Sequence, residues 1–209
     1  MDLQKFIDQR PYLYHLTSEV NATNIIATKR LLSANQLITM AGVADIDTIK
    51  RTKRTQHLNL TVDGKEILLR DQRPISEKAL SKCLTNGWAV GDFLYHLNER
   101  IFMWPTLDRL WKHFNRYENE KPVIFRFTTK DILEANHNVK FSRLNSGATR
   151  ANSHLGGKAP ERGLNTFLNA EQFILPLREV AEVTFENYCV IKGDMEYSYR
   201  PDSNYTIVP

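Results

Sequence analysis

The sequence predicts a mixed α+β fold in a single domain spanning residues 1–209, and three observations carry that expectation. Short helical and extended signals alternate along the chain, and the extended ones gather in its last third. No repeat, low-complexity tract or Gly/Ser linker marks a domain boundary. Hydrophobic residues at 42% and charged residues at 25% match the soluble globular average, which leaves enough apolar material for a core and argues against a disordered chain.

Taken in order, residues 12–16 after Arg10-Pro11 form a first strand rich in aromatic and apolar side chains. Asn21 or Thr23 is placed to cap a helix with Ile25, Ile26 and Leu31 on its apolar face, and Ser33 opens another through Leu37, Ile38 and Met40. Residues 57–62 alternate polar and apolar, Asp63-Gly64 supplies a tight turn, and residues 66–70 return, which predicts a hairpin. Ser76 starts a helix through Cys83 that Asn86-Gly87 ends, and residues 91–97 read as helical. Residues 100–104 form a strand stopped by Pro105, after which Leu107, Leu110, Trp111 and Phe114 have helical spacing. Residues 123–127 are a further strand, with Thr129 capping a short helix. Residues 145–163 are rich in Gly, Ser, Asn and basic side chains without periodicity, and predict a long loop. Residues 167–175, 180–185 and 188–191 read as extended, and 187–209 as a last hairpin and tail.

Several chemistries are disfavoured. The six histidines (His15, His57, His96, His113, His137, His154) are scattered, so no metal site is expected. Gly156-Gly157-Lys158 lacks the upstream glycine and following Ser or Thr of a phosphate loop, and no Gly-x-Ser-x-Gly elbow is present. Cys83 and Cys189 lie in apolar surroundings, which reads as core packing in a reducing, cytoplasmic compartment. The charged first ten residues and the lack of a long apolar run predict neither a signal peptide nor a membrane span. The net charge is +4, and Lys50, Arg51, Lys53 and Arg54 concentrate it in five positions that suit a polyanion as well as a solvated loop.

What remains is a set of polar and aromatic residues at strand ends. His15 and Thr17 share a face, Asn21 and Asn24 follow at a helix start, Arg70, Asp71 and Arg73 end a hairpin, and Phe102 and Trp104 share a strand face. Glu171 stands among Phe167, Phe173, Ile174 and Leu175. Each has an ordinary structural role open to it as a cap, surface charge, core ring or edge carboxylate.

Their order resembles that of DarT-like ADP-ribosyltransferases. The likeness runs through Tyr12-Leu13-Tyr14-His15-Leu16-Thr17, Asn21 and Leu31-Leu32-Ser33, then Leu69-Arg70-Asp71-Gln72-Arg73-Pro74. It continues in Ile101-Phe102-Met103-Trp104-Pro105 and Val123–Phe127, and ends at Asn169-Ala170-Glu171-Gln172-Phe173-Ile174-Leu175. The turn Lys29-Arg30-Leu31-Leu32 has no glycine and Phe102 stands where that family has Tyr, while the Asn145-Ser146-Gly147 loop and the run over residues 161–167 look more like a sister group of small bacterial transferase toxins, including nucleic-acid-modifying ones from phage-defence toxin–antitoxin systems.

The resemblance implies an ADP-ribosyltransferase-like split β-sheet core flanked by short helices, NAD as substrate and no metal. Glu171 would be the catalytic carboxylate, with Glu182 in Ala181-Glu182-Val183 as its competitor. Such a carboxylate stabilises the oxocarbenium-like ribose as nicotinamide leaves, and serves as base toward the acceptor. Arg70 or Arg73 would fork the pyrophosphate. His15 and Thr17 would donate to the ribose and the nicotinamide amide, with Asn21 and Asn24 nearby, and Phe102 or Trp104 would stack on the nicotinamide. The implied acceptor is single-stranded DNA or RNA, tracked by Lys50, Arg51, Lys53 and Arg54 and by the loop cations Arg143, Arg150, Lys158 and Arg162, with a cognate antitoxin as a protein partner. NAD glycohydrolysis, transfer to protein, and a non-catalytic nucleotide- or nucleic-acid-binding module are the other expectations.

Overall fold

The computed structural model describes residues 1–151 and 155–208; residues 152–154 and 209, with His154 among them, lie outside the described residues. The chain runs α1 (Leu3–Gln9), β1 (Tyr12–Thr17), α2 (Glu19–Thr28), β2 (Arg30–Leu32), α3 (Ala34–Ala41), α4 (Ile46–Arg51), β3 (Leu58–Val62), β4 (Lys65–Leu69) and α5 (Glu77–Leu80). It continues with α6 (Val90–Asn98), β5 (Arg100–Met103), α7 (Leu107–Phe114), β6 (Val123–Thr128), α8 (Thr129–Ala135), β7 (Val139–Ser142), β8 (Glu182–Glu186), β9 (Tyr188–Val190), β10 (Met195–Ser198) and β11 (Thr206–Ile207). The fold is α+β, with every strand pair antiparallel.

Two sheets carry the architecture, one in the order β1-β6-β10-β11 and one in the order β5-β8-β7; β2-β9 and β3-β4 are two-stranded. The main core lies between the larger pair. Leu13, Phe125, Phe127 and Met195 come from the first, and Ile101, Met103, Phe141, Val183 and Phe185 from the second. The two sheets meet at one bridge, where Tyr14 and Trp104 exchange N–H···O bonds of 3.0 and 2.9 Å.

Local chemistry explains most boundaries. Asp63 and Gly64 both have positive φ, 50° and 75°, which matches the β3–β4 turn to the twist of its strands. Ser33 caps α3 and Ser76 caps α5. The cap of α2 is Ser18 rather than Asn21 or Thr23, because Ser18 holds an extended backbone from which its side chain accepts the Asn21 N–H. Thr128, not Thr129, caps α8 in the same way.

The strand expected over 167–175 does not form. Only Leu168 bridges to Phe141, and the chain then turns, with the Phe173 N–H donating to the Asn169 and Ala170 carbonyls. Phe167 and Phe173 bury their rings without a partner strand, while Ile174 is 89% exposed, so burial there is not alternating. Strands run along the whole chain rather than gathering in its last third; β10 and β11 form the expected terminal hairpin, and β10 also joins it to the first sheet beside β6.

Among the described residues, 145–163 forms no regular strand or α-helix, as its composition implies. Arg162 braces it: the buried guanidinium donates to the Asn145 carbonyl at 3.0 Å and the Ala148 carbonyl at 2.8 Å, and its backbone N–H donates to Cys83 at 2.7 Å. Both cysteines are buried and unpaired. No helix among the described residues is long and apolar enough to cross a membrane.

Asn21 and Asn24 fix α2 to the hairpin. The Asn21 amide donates to the Leu68 carbonyl and accepts the Leu68 N–H, both at 2.8 Å, and Asn24 donates to Glu66 O at 3.1 Å. This clasp sets the exit of β4, and so the position of Arg70. Asn21→Ala removes two bonds to backbone groups and should cost about 1–3 kcal/mol. A thermal melt should show the midpoint falling by several degrees; an unchanged midpoint would mean that the clasp contributes nothing to stability.

Candidate active site

Alternation along β5 and β8 gives their sheet two chemically different faces. Ile101, Met103, Val183 and Phe185 point into the core. Their neighbours Arg100 and Phe102 on β5, and Glu182, Thr184 and Glu186 on β8, therefore share the opposite face. Glu182 is the unusual member. Only 3% of it is exposed, and its carboxylate accepts the Ser146 N–H at 3.0 Å from the loop that covers it. Burial pushes this carboxyl up to about 7, against the pull of the Ser146 N–H and hydroxyl and of the Arg162 and Arg109 guanidiniums.

The β1 side brings a second group to the same joint. His15 places Nδ1 2.9 Å from the Phe102 carbonyl oxygen. A carbonyl only accepts, so Nδ1 carries the proton and Nε2 presents a lone pair. Burial holds the His15 imidazole down at about 4, with the Arg70 charge adding to the effect and the Phe102 carbonyl opposing it. His113, desolvated and facing Arg70, Arg116 and His15, is held at about 3.

Arg70 organises the polar cluster beyond His15. Its guanidinium donates to Glu120 at 3.1 Å and to the Thr17 carbonyl at 3.3 Å, and lies 4.4 Å from the Tyr117 ring centroid. His57 stands between Asp71 and Glu120, at 3.3 and 3.2 Å. Asp71 is buried and pairs with Arg73 at 2.8 Å.

The residues singled out from sequence are thus partly assembled. His15, Thr17 and Arg70 come together, and Phe102 lies on the half-open polar face beside Phe167. Four expectations are corrected. His15 is an acceptor at its free nitrogen, not a donor. Asn21 and Asn24 spend their amides on the β4 backbone. Trp104 is buried and stacks on His113 at 4.2 Å, so that ring face is taken. Glu171 is exposed in a turn, off any strand, whereas its competitor Glu182 opens β8.

The basic run is largely engaged with the protein itself. Lys50 donates to Thr39 at 2.7 Å, and Arg51 pairs with Asp92 at 2.7 Å. Arg54 donates to the Arg70 carbonyl and to Asn98, and its burial lowers its pKa to about 10. Arg150 is exposed, and Arg162 is the buried brace. Sequence reasoning passed over Ser146, Tyr117, His113 and Glu120. Their roles depend on contacts far along the chain, and no local pattern marks them.

The shifts have a signed consequence for stability. A carboxyl raised in the fold binds more protons folded than unfolded, so its contribution falls as pH rises from about 4.5 to about 7. Glu182→Gln should therefore melt higher than the parent above pH 7, by up to about 3 kcal/mol, and match it near pH 4. His15 and His113 act oppositely, so both proteins should lose stability as pH falls below about 6.5. A Glu182→Gln difference that is constant from pH 4 to 8 would contradict the raised carboxyl.

No curated protein and no solved structure matches the chain. A family model described as a family of unknown function (DUF7002) matches residues 11–190. That span takes in β1 through β9, and with them His15, Arg70, Phe102 and Glu182. The chain belongs to the DUF7002 family.

Proposed function

We propose that this protein is an NAD-dependent ADP-ribosyltransferase, a toxin-like effector built on a split β-sheet core, with Glu182 as its catalytic carboxylate. The observation that carries the reading is the buried Glu182 at the start of β8, on the same sheet face as Phe102, whose carbonyl holds His15; Arg70 donates to the carbonyl of Thr17, two residues further along β1. Arg70 suits the pyrophosphate of NAD, and the lone pair of His15 Nε2 suits a ribose hydroxyl. Phe102 offers a ring for the nicotinamide.

In this chemistry the bond between nicotinamide and ribose C1′ breaks, and nicotinamide leaves as a neutral base. The carboxylate of Glu182 stabilises the ribosyl cation, most strongly where water is excluded. The acceptor nucleophile then bonds to C1′ and its proton passes to Glu182. An ionised carboxylate is required, and the cationic nicotinamide ring of bound NAD favours that form. A ribose hydroxyl replaces the Ser146 N–H as donor when the substrate enters.

The acceptor proposed first is single-stranded nucleic acid. A second reading, NAD glycohydrolysis or transfer to protein on the same scaffold, is favoured by one observation: Arg51, Arg54 and Arg162 are committed to partners within the protein.

Nicotinamide release from NAD by the purified protein tests this. Glu182→Gln should lower kcat on the order of 10³-fold, with Glu171→Gln unchanged. Arg70→Lys should raise KM about tenfold with a smaller effect on kcat. The kcat/KM profile should rise through pH ~7 in the parent enzyme. Stimulation by single-stranded DNA or RNA selects the nucleic-acid acceptor, and release indifferent to it selects the second reading. No release under any condition overturns the enzyme assignment in favour of a non-catalytic module.

A further inference from the structure

The carboxylate of Glu182 is covered by residues 143–149, the segment that leaves β7. Ser146, 4% exposed, places its backbone N–H on Glu182 Oε2 at 3.0 Å. A ribose meets this carboxylate only after that segment has moved.

Polar contacts seat the cover. Ser142 Oγ donates to the Leu144 carbonyl at 2.7 Å, where the chain turns out of β7. Within the turn, the Gly147 N–H donates to Asn145 Oδ1 at 3.1 Å and the Ala148 N–H to the Asn145 carbonyl at 2.9 Å. Arg162 pins the turn from outside it, with Nη2 on the Asn145 and Ala148 carbonyls at 3.0 and 2.8 Å and Nε on Ala148 at 3.1 Å. Arg162 is itself anchored elsewhere, since its backbone bonds to Cys83 and Thr85.

The described residues 143–151 contribute no side chain to the apolar clusters, and the two of them that are buried, Ser146 and Thr149, are polar. Lifting the segment therefore takes no apolar cluster apart. It breaks a few hydrogen bonds that water replaces, and segments of this make-up open at less cost than the whole fold.

We propose that residues 143–149 are an autoinhibitory cover. The closed form keeps substrate from Glu182, Arg162 latches it, and reaction proceeds from an open form in which Ser146 has left the carboxylate. The inference rests on Glu182 as the catalytic residue. Because apparent affinity scales with the open fraction, loosening the latch lowers KM and leaves kcat in place.

The chain carries its own reporter of opening. Cys83 is 4% exposed, with Sγ 3.4 Å from the Thr149 carbonyl at the end of the cover. Cys189 is buried in the main core. Opening of the cover uncovers the first thiol alone, whereas global unfolding uncovers both.

Iodoacetamide labelling of each thiol, read by peptide mass spectrometry, provides the test beside nicotinamide release. Arg162→Met keeps an unbranched stem and removes the donors; Asn145→Ala, at an exposed position, removes only the bond to Gly147. Cys83 should label about tenfold faster in Arg162→Met and about threefold faster in Asn145→Ala, with Cys189 unchanged. Loss of the Arg162 charge disfavours the Cys83 thiolate, so a faster rate there reports exposure. Arg162 also faces Glu182 electrostatically, so the kinetic reading uses Asn145→Ala, which should lower the KM for NAD about threefold at unchanged kcat. Faster labelling confined to Cys83, with no nicotinamide released even by the parent, supports the cover and sinks the catalytic reading instead. Unchanged Cys83 labelling in both variants, a parallel gain at Cys189, or faster Cys83 labelling with a KM that does not fall overturns the proposal.

Discussion

The geometry of this protein depends on the joint between β1 and β5. Tyr14 and Trp104 exchange backbone hydrogen bonds there, and His15 adds a side-chain bond to the carbonyl of Phe102. Tyr14 and Trp104 bury their rings in a cluster with Leu110, Phe114 and Tyr117. Once Tyr14 is committed to that side, strand alternation obliges His15 to face the other. The same rule sends Phe102 and Trp104 away from Ile101 and Met103. One bridge thereby determines which side chains of two sheets can meet.

Electrostatics follow from this enclosure. Glu182, His15 and His113 are all displaced toward their neutral forms, the acid upward and the imidazoles downward. Arg70 keeps its charge by pairing with Glu120, with Tyr117 beneath it. A dry site of this kind makes each later charge interaction stronger than it would be in water. Its cost is the desolvation of groups that must ionise to work.

Much of the fold was legible because its signals are local. The hairpin follows from Asp63-Gly64 between alternating strands, and α3 from Ser33 ahead of an apolar face. The first strand, β5, α7 and β6 likewise declare themselves within short windows. The site was less legible. Ala-Glu-x-apolar occurs near residues 171 and 182, and composition alone does not separate them. What separates them is partner strands: β8 has β5 and β7 on its two edges, while the segment around Glu171 has none. The apolar run at 167–175 reads as a strand because burial of Phe167 and Phe173 does not itself specify a hydrogen-bond ladder. The Asn21 clasp and the Arg162 brace were misread for a related reason. Both join segments far apart in sequence, and an isolated Asn or Arg carries no sign of its distant acceptor.

The Arg162 brace also bears on how this family can vary. It ties position 162 to the carbonyls of Asn145 and Ala148, so the cover over Glu182 is held at its two feet. Insertions between those feet leave the feet in place, and doubling the intervening length costs only about 0.6 kcal/mol in closure entropy. The excursion between the feet is therefore free to vary in length and surface without moving the base over Glu182, whereas replacing Arg162 would strip that base of its side-chain bonds to Asn145 and Ala148 and leave only the backbone ties to Cys83 and Thr85.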